Sequence, residues 1–442
     1  YQHVVASCKL EKVQAQEKYR RRVAELEKQH QENLSKITDH QEIKDEKYVH
    51  KNRLFDAKME LEKDFQQIKD RRHAAFAYRN HLIDLLRMSK FTFAETMAEK
   101  WENYKYTFNR RAFLLRNGLY IAIILIFIAL CIITPMVKGV PLLTYNNVLN
   151  ILQQASPRMF LALGVAGLIL LAGTDLSVGR MVGMGMTTAT IIMHQGINTG
   201  MVFGHVFDFT SLPVPVRVIF ALFMCVVLCT FFTTIAGFFT AKFKMHPFIS
   251  TMANMLVIFG LVTYSTKGVS FGAIESTIPG MIIPKINGFP TIILWAVAAV
   301  IIVWFIWNKT TFGKNMFAVG SNPEAAKVSG VNVMRTTILV HTLAGAMYGL
   351  TGFIESSRIG SNTANTGLNY ECDAIAACVI GGVSFVGGTG KISGVVLGVF
   401  LLRIIFVALN FLSINMNMQY VIKGLIILVA CAIDMRKYLV RK

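Results

Sequence analysis

The sequence predicts an all-α membrane protein built from two unlike parts, a charged helical arm followed by a polytopic bundle of about ten transmembrane helices. Three observations predict it. Of the 442 residues, 53% are hydrophobic. All 33 glycines and all 10 prolines lie after residue 117. The first 117 residues hold 18 of the 26 acidic side chains, which leaves 8 for the rest of the chain. The chain therefore divides into a segment 1–117 and a segment 118–442, two compositions joined near Gly118.

The first segment lacks both helix breakers and is rich in Glu, Lys, Arg, Gln and Leu, so it reads as helix and as soluble. Leu54, Leu61, Ile68, Ala75 and Leu82 recur every seven residues and line one apolar seam. Lys58, Arg72 and Arg79 interrupt the companion positions around Phe65 and Leu86, which describes a docking face more than a sustained coiled coil. One unbroken helix of this length would reach about 170 Å at 1.5 Å per residue, so two or more helices are expected. Two readings fit the arm: a solvated charged tail, or a contact surface. The contact would be a clamp on a cytoplasmic partner or a basic patch (Arg71, Arg72, Arg110, Arg111, Arg116) on anionic lipid.

The second segment is a series of apolar runs long enough to cross, or nearly cross, a hydrocarbon layer of about 30 Å. Ten are expected, at roughly 118–137, 158–173, 176–194, 215–238, 247–266, 289–307, 336–354, 373–388, 393–412 and 418–434. The runs 158–173 and 373–388 are short and contain glycine, which suits segments that tilt, break or re-enter. Basic residues before Gly118, at Lys242 and Lys244, from Lys309 to Arg335, at Lys391 and in the tail from Arg436 to Lys442 mark the cytoplasmic side. Ten spans with both termini cytoplasmic satisfy every one of these marks.

Between two of these runs lies a polar stretch with helix punctuation. Asn322 suits the N-cap, Pro323 the first helical position, Glu324 the positive start, Ala325 and Ala326 the body, Lys327 the far end and Gly330 the stop. It reads either as an ordinary connecting loop with one helical turn, or as a rigid handle on which a cytoplasmic protein pushes. Asp175 and Asp373 each open an apolar run and read as N-caps, before the expected third and eighth spans. An offset of five reverses the helix direction, as inverted repeats around a transport pathway require. Each acid either caps its helix or touches a pathway, with Ser177, Arg180 and Asn254 as further polar candidates on the same or a neighbouring helix. Arg180, five residues after Asp175, is the candidate partner for it. The glycine-rich run Gly381–Gly390 reads as a hinge or close helix crossing, because Gly390-Lys391 is followed by Ile392 and not by the Ser or Thr of a phosphate-binding loop.

The segments Asn308-Lys309-Thr310 to Asn315, Ser321 to Val333, Gly173 to Gly183 and Asp373 to Phe385 resemble the membrane permease subunits of bacterial sugar-importing ABC transporters. The likeness runs from about residue 117 to the C-terminus, with the motifs in the same order, while the first hundred or so residues have no counterpart in the usual members. Within the ribose, xylose, arabinose and galactose systems it is greatest to the galactose/methyl galactoside branch. The resemblance implies a multi-pass subunit of the bacterial cytoplasmic membrane, paired as a homodimer. It implies a separate cytoplasmic ATPase that binds ATP and Mg, pressing on the Asn322 to Val331 helix, and an external sugar-binding protein that delivers galactose or, alternatively, ribose or another pentose.

The residues exclude several chemistries. No nucleophile, base and orienting acid assemble along the chain, so no catalytic residue is assigned. Cys225 and Cys229 stand four apart without a His or acid to complete a metal site. The net charge of +19 is accounted for by the arm and the basic loops, without nucleic acid. Two other classes remain open, a stand-alone secondary carrier or channel using Asp175 and Asp373, and a membrane scaffold whose business is the arm.

Overall fold

A computed structural model of the chain describes residues 1–35, 40–86, 93–108, 121, 125, 127–129, 131–137, 139, 141–196, 200–270, 272–363 and 365–439. It divides into two compact units, Tyr1–Phe108 and Asn109–Lys442. The composition change at Gly118 and the basic residues Arg110, Arg111 and Arg116 lie outside the described residues.

The first unit contains α1 (Gln2–Leu34), α2 (His40–Leu86) and α3 (Phe93–Thr107). The seam of α2 is covered by α1, which runs antiparallel to it: Cys8 Sγ lies 3.8 Å from Ile68 O, Arg71 pairs with Glu11 at 2.8 Å, and His30 meets Glu46 at 3.5 Å. Leu54, Leu61, Ile68 and Ala75 are half-buried there, and Leu82 is exposed. The docking face expected from the sequence is thus occupied by the chain's own first helix. The third helix adds a stack of Tyr106 on Phe76 with ring centroids 4.0 Å apart and an Arg79–Glu102 pair at 3.0 Å.

The second unit contains α4 (Tyr145–Leu170), α5 (Val178–Ile192), α6 (Val214–Lys242), α7 (Pro247–Thr266), α8 (Thr277–Ile282) and α9 (Ile292–Lys309). They are followed by α10 (Thr311–Ser321), α11 (Pro323–Val328), α12 (Val333–Ile359), α13 (Tyr370–Ile380), α14 (Ile392–Phe411) and α15 (Met416–Leu439). Its only strands among the described residues form two hairpins, β1 (Met201–Val202) with β2 (His205–Val206) and β3 (Lys285–Ile286) with β4 (Phe289–Pro290). Among the described residues five helices, α6, α7, α9, α12 and α14, are long and apolar enough to cross a membrane. The expected run 158–173 is only the second half of α4, which begins at Tyr145 under a Thr144 cap. Asn146, Asn147, Asn150, Gln153 and Gln154 hid its start from a hydropathy reading. The expected run 373–388 likewise ends early, at Ile380, because Gly382, Gly387 and Gly388 all take positive φ and turn the chain.

Small residues bring these helices together. Along α6, Ala221, Cys225, Cys229, Thr233, Ala236, Gly237 and Thr240 form the buried face, while Ile219, Phe223 and Phe231 point outward. Opposite them, α12 offers Gly345 and Gly349; a Cβ on Gly349 would lie 2.5 Å from Cys225 O. Such backbone contact, with apolar side chains outside, is the packing of helices in lipid. One end of the bundle gathers Leu170, Gly320 and the 381–391 loop, where Gly388 N donates to Leu170 O at 2.8 Å. The opposite end gathers the termini of α5, α6, α7 and α12: Ile274 N donates to Gly360 O, and buried Arg217 donates to Ile192 O and His194 O and pairs with Glu275 at 2.7 Å.

Candidate functional site

The polar stretch after α9 forms two short helices. Thr310 caps α10, its hydroxyl accepting from Gly313 N at 3.1 Å. The chain then turns at Asn322, whose Oδ1 accepts from Glu324 N at 3.1 Å and Ala325 N at 3.0 Å, so α11 starts at Pro323. It stops where Gly330 takes φ +83° and Val331 N returns to Ala326 O at 3.0 Å. Ala326 is buried, whereas Pro323, Glu324, Ala325 and Lys327 are exposed. One side chain anchors the helix and the rest of its surface is presented outward. Beside it a cleft of about 650 Å³ is lined by Glu324 and Lys327 from α11, Thr240, Lys244 and Pro247, and His341.

Two segments of the bundle interrupt their helices, and the candidate residues sit at the breaks. After α4 the chain passes through Ala172, at φ +58°, to Asp175 and Ser177 before α5 begins. Asp175 stands two residues ahead of the N-cap, which is Ser177, and the expectation that it caps the helix is corrected. Its Oδ1 accepts from Ser177 N at 2.7 Å and Ser177 Oγ at 2.6 Å, a turn that precedes the helix. Asn254 of α7 donates to Ser177 Oγ at 3.3 Å, so Asp175, Ser177 and Asn254 form one buried cluster. Asp175 is fully buried, and among the described residues its Oδ2, the Tyr348 hydroxyl and His341 Nε2 are buried without a hydrogen-bond partner. The Arg180 guanidinium lies over the Phe259 ring, 4.3 Å from the centroid.

The second break precedes α13. Thr366 and Gly367 lie against α5, close enough that a Cβ on Gly179 would lie 2.1 Å from Gly367 O and one on Gly183 2.7 Å from Thr366 O. Asn369, at φ +64°, then starts α13. Asp373 is in the first turn of that helix and not at its cap, because the helix begins three residues earlier than the apolar run suggested. Its carboxylate pairs with Lys423 of α15 at 2.5 Å. The structure therefore places Asp373 apart from the Asp175 cluster, in a separate network. There Glu355, 1% exposed, binds Arg358 through two contacts of 2.8 Å and lies 4.0 Å from Arg158, whose guanidinium stacks over Tyr370.

Sequence reasoning missed Glu355, Arg158, Arg358, Tyr348 and Lys423. Glu355 and Arg358 occupy i and i+3 of one helix, a spacing that signals a pair but usually a solvated one. Nothing local shows that the pair is inside. Arg158 and Lys423 reach it or its neighbours from elsewhere in the chain, so no local pattern announces them.

Residues 147–431 match the family described as branched-chain amino acid transport system / permease component. The chain is 46% identical over 387 residues to the galactose/methyl galactoside import permease protein MglC of Treponema pallidum, covering 85% of this chain and 73% of the relative. It is 39% identical to MglC of Escherichia coli over 343 residues, 76% of this chain and 99% of the relative. It is 31% identical to the ribose import permease protein RbsC of Bacillus subtilis over 293 residues, 66% of this chain and 85% of the relative. A share of 85% exceeds the length of residues 118–442, so the Treponema match takes in part of the first 117 residues. No solved structure matches.

Proposed function

The chain belongs to this family of transport permeases, and from that premise we propose that it is the membrane subunit of an ATP-driven ABC importer carrying a monosaccharide into the cytoplasm. Galactose or methyl galactoside is the sugar favoured, because identity is 46% and 39% to two galactoside permeases and 31% to a ribose permease. The observation that carries the reading is this match of the bundle over residues 147–431 to permeases. A permease of this kind has no energy source of its own. A separate ATPase binds ATP and Mg on the cytoplasmic side, and a sugar-binding protein presents the substrate outside. The bundle crosses the cytoplasmic membrane about ten times with both termini inside, in two inverted repeats, and works as a homodimer. The segment 1–117 is a cytoplasmic arm.

In this reading α11 is the docking element. Its cap holds it rigid, Ala326 ties it to the bundle, and Glu324, Ala325 and Lys327 face the ATPase. Force on it reaches the rest of the bundle through α10, since Gly320 is in backbone contact with Leu170 and Gly388. That contact lies close to the Ala172–Ser177 break and the Gly381–Gly390 loop, the two places where a bundle of packed helices yields most readily. Asp175, Ser177, Arg180, Asn254 and Asp373 remain the pathway candidates, the first four along the α5–α7 crevice.

The test is uptake of labelled galactose and ribose into proteoliposomes holding the chain and its cognate ATPase, with binding protein outside and ATP inside. Uptake requiring both ATP and binding protein is expected. Glu324→Arg, or a bulky charged residue at Ala325, is expected to uncouple hydrolysis from uptake in a protein that still inserts. Flux without either partner would replace the importer by a channel or ion-coupled carrier. Deleting residues 1–90 is expected to leave transport largely intact and to change assembly or regulation.

A further inference from the structure

We propose that the β1–β2 hairpin is an interfacial membrane anchor, whose tip residue Phe203 and flanking pair Met201 and Val206 insert at the headgroup level of the bilayer. Residues 201–206 read Met-Val-Phe-Gly-His-Val, an apolar composition for a connecting loop. Phe203 is 60% exposed, Met201 47% and Val206 46%, so these side chains point away from the bundle. Met201 lies opposite Val206 in the antiparallel pair, which sets both on one face of the ribbon.

The two hairpins make the same turn with different residues. In β3–β4 the loop is Asn287-Gly288, with φ +49° and +83°; in β1–β2 it is Phe203-Gly204, with φ +51° and +80°. Two positive φ values in a two-residue loop favour Asn-Gly, and β3–β4 follows that rule. A phenylalanine at the first position is disfavoured about tenfold, because its Cβ crowds the backbone in the left-handed region. Taking a Phe side chain out of water is favoured about ten- to a hundredfold. With its ring in water, Phe203 has only the strain; with its ring in lipid, the burial outweighs it.

The position of the hairpin along the bundle fits that depth. Helix α7 starts at Pro247, in the wall of the cleft beside α11, and ends at Thr266. Its 20 residues rise about 30 Å, the thickness of a hydrocarbon layer, so its last turn reaches the far boundary. The hairpin is fastened to that turn. Phe203 N donates to Ser265 O at 2.8 Å, and the Phe203 and Tyr264 rings meet edge to face with centroids 6.3 Å apart. Leu256, Val257, Leu261 and Tyr264 face outward on α7, and through Tyr264 that apolar surface continues onto Phe203. Lys267 is exposed just past the end of α7, and an aromatic residue and a lysine at a helix end are the usual anchors of the membrane–water boundary. Exposed Asp208, accepting from Thr210 N at 2.8 Å, marks the return of the chain to water. Such an anchor ties the α5–α6 connection and the end of α7 to the bilayer surface.

The experiment reconstitutes the full chain in liposomes and reads the fluorescence that Phe203→Trp adds to the wild-type signal. Blue-shifted emission is expected, quenched more by lipids brominated near the headgroup than by lipids brominated near the chain end, and insensitive to aqueous iodide. A second comparison carries the reporter at Val206→Trp. There Phe203→Asn, which suits the turn better, should lower the ratio of inserted to lifted hairpin about ten- to a hundredfold, read as lost lipid quenching, while amide protection over residues 201–206 is kept. Emission as in water with full iodide quenching, or lipid quenching of Val206→Trp unchanged by Phe203→Asn, would overturn the anchor. Shielding from iodide that appears only when a sugar-binding protein is added would overturn it in favour of that protein as the partner. A tryptophan that neither lipid nor iodide reaches would do so in favour of a second copy of the chain.

Discussion

Replacing Asn322 by Ala isolates the rigidity of α11 from the chemistry of its surface. Asn322 Oδ1 takes two of the free amides at the helix start, from Glu324 and Ala325. Loss of such a cap costs about 1 kcal/mol, within a range of about 0.5–2. The helix has six residues and one buried side chain, Ala326, so little packing offsets that loss. A change of 1 kcal/mol lowers the ratio of ordered to frayed helix roughly fivefold. Sugar uptake per ATP should fall by up to that factor, reaching it if the helix is only marginally ordered in the wild type. Asn322→Ser and Asn322→Asp keep a capping oxygen and should restore coupling. The assay is ATP-driven galactose uptake in proteoliposomes, with amide hydrogen exchange over residues 320–332 to follow fraying. Full coupling in an Ala variant whose amides exchange freely would refute the docking role of the ordered helix. Equal loss in the Ser and Ala variants would show that Asn322 acts by a direct contact and not as a cap.

Three other outcomes are expected. Gly320→Ala should prevent folding of the bundle, because the new Cβ would lie 1.9 Å from Leu170 O and 2.9 Å from Gly388 N, both backbone atoms that cannot rotate away; yield of monodisperse protein in detergent checks it. Arg217→Met should destabilise the protein by about 1–3 kcal/mol, since the carbonyls of Ile192 and His194 lose their donor and Glu275, partly exposed and still held by Thr277, loses its ion pair; the thermal midpoint in detergent reports the loss. In the first unit, the hydrogen bond from Asn33 holds the Glu46 carboxyl below its ordinary value, with a smaller contribution from His30. A lowered folded value means that the contact stabilises fully above the ordinary glutamate range near about 4.3 and fades as pH falls through the lowered value. The protection of amides over residues 26–35 and 42–50 of the full chain, measured against their intrinsic exchange rates, should therefore fall on acidification through that window, and Glu46→Gln should flatten the dependence.

What the sequence made legible was whatever rested on local chemistry. Helix α7 spans Pro247–Thr266, the run expected at 247–266, and α11 begins after Asn322 and closes at Gly330 as its punctuation required. Helix α10 escaped notice because Thr-Phe-Gly-Lys-Asn reads as a turn, although Thr310 does cap it. The first half of α4 escaped because hydropathy cannot distinguish an amide-rich helix from a loop. At the candidate site the residue types at the breaks were readable, but their partners were not. Asp175 meets Ser177 locally, yet Asn254, Tyr348 and His341 reach that region from two other helices, α7 and α12. Which acid is inside was also invisible, since Glu355 sits in Glu-Ser-Ser-Arg, a stretch with the look of an exposed helix end.

The two most buried acids are held on different terms. Glu355 is covered by Arg358 and Arg158, so its charge is matched where it lies. Asp175 is matched fully on one oxygen only: Oδ1 has both Ser177 donors, while among the described residues Oδ2 has no hydrogen bond of ordinary length and lies near the Tyr348 hydroxyl and His341. Asp175→Asn separates stability from transport at this point. The amide carbonyl of Asn can take over the bonds from Ser177, so the turn before α5 survives. The amide nitrogen then stands where Oδ2 was and can donate to the Tyr348 hydroxyl or to His341 Nε2. A buried unmatched acceptor costs about 1–3 kcal/mol, more when charged, so the Asn variant should unfold at a higher temperature than wild type. If the unmatched carboxylate serves the transport cycle, the same variant should carry less sugar per ATP, the exchange of activity for stability seen where a site is kept strained. A variant less stable than wild type would show that the Asp175 charge is already compensated in the resting protein, and the case for Asp175 as a pathway residue would then rest on Ser177 and Asn254 alone.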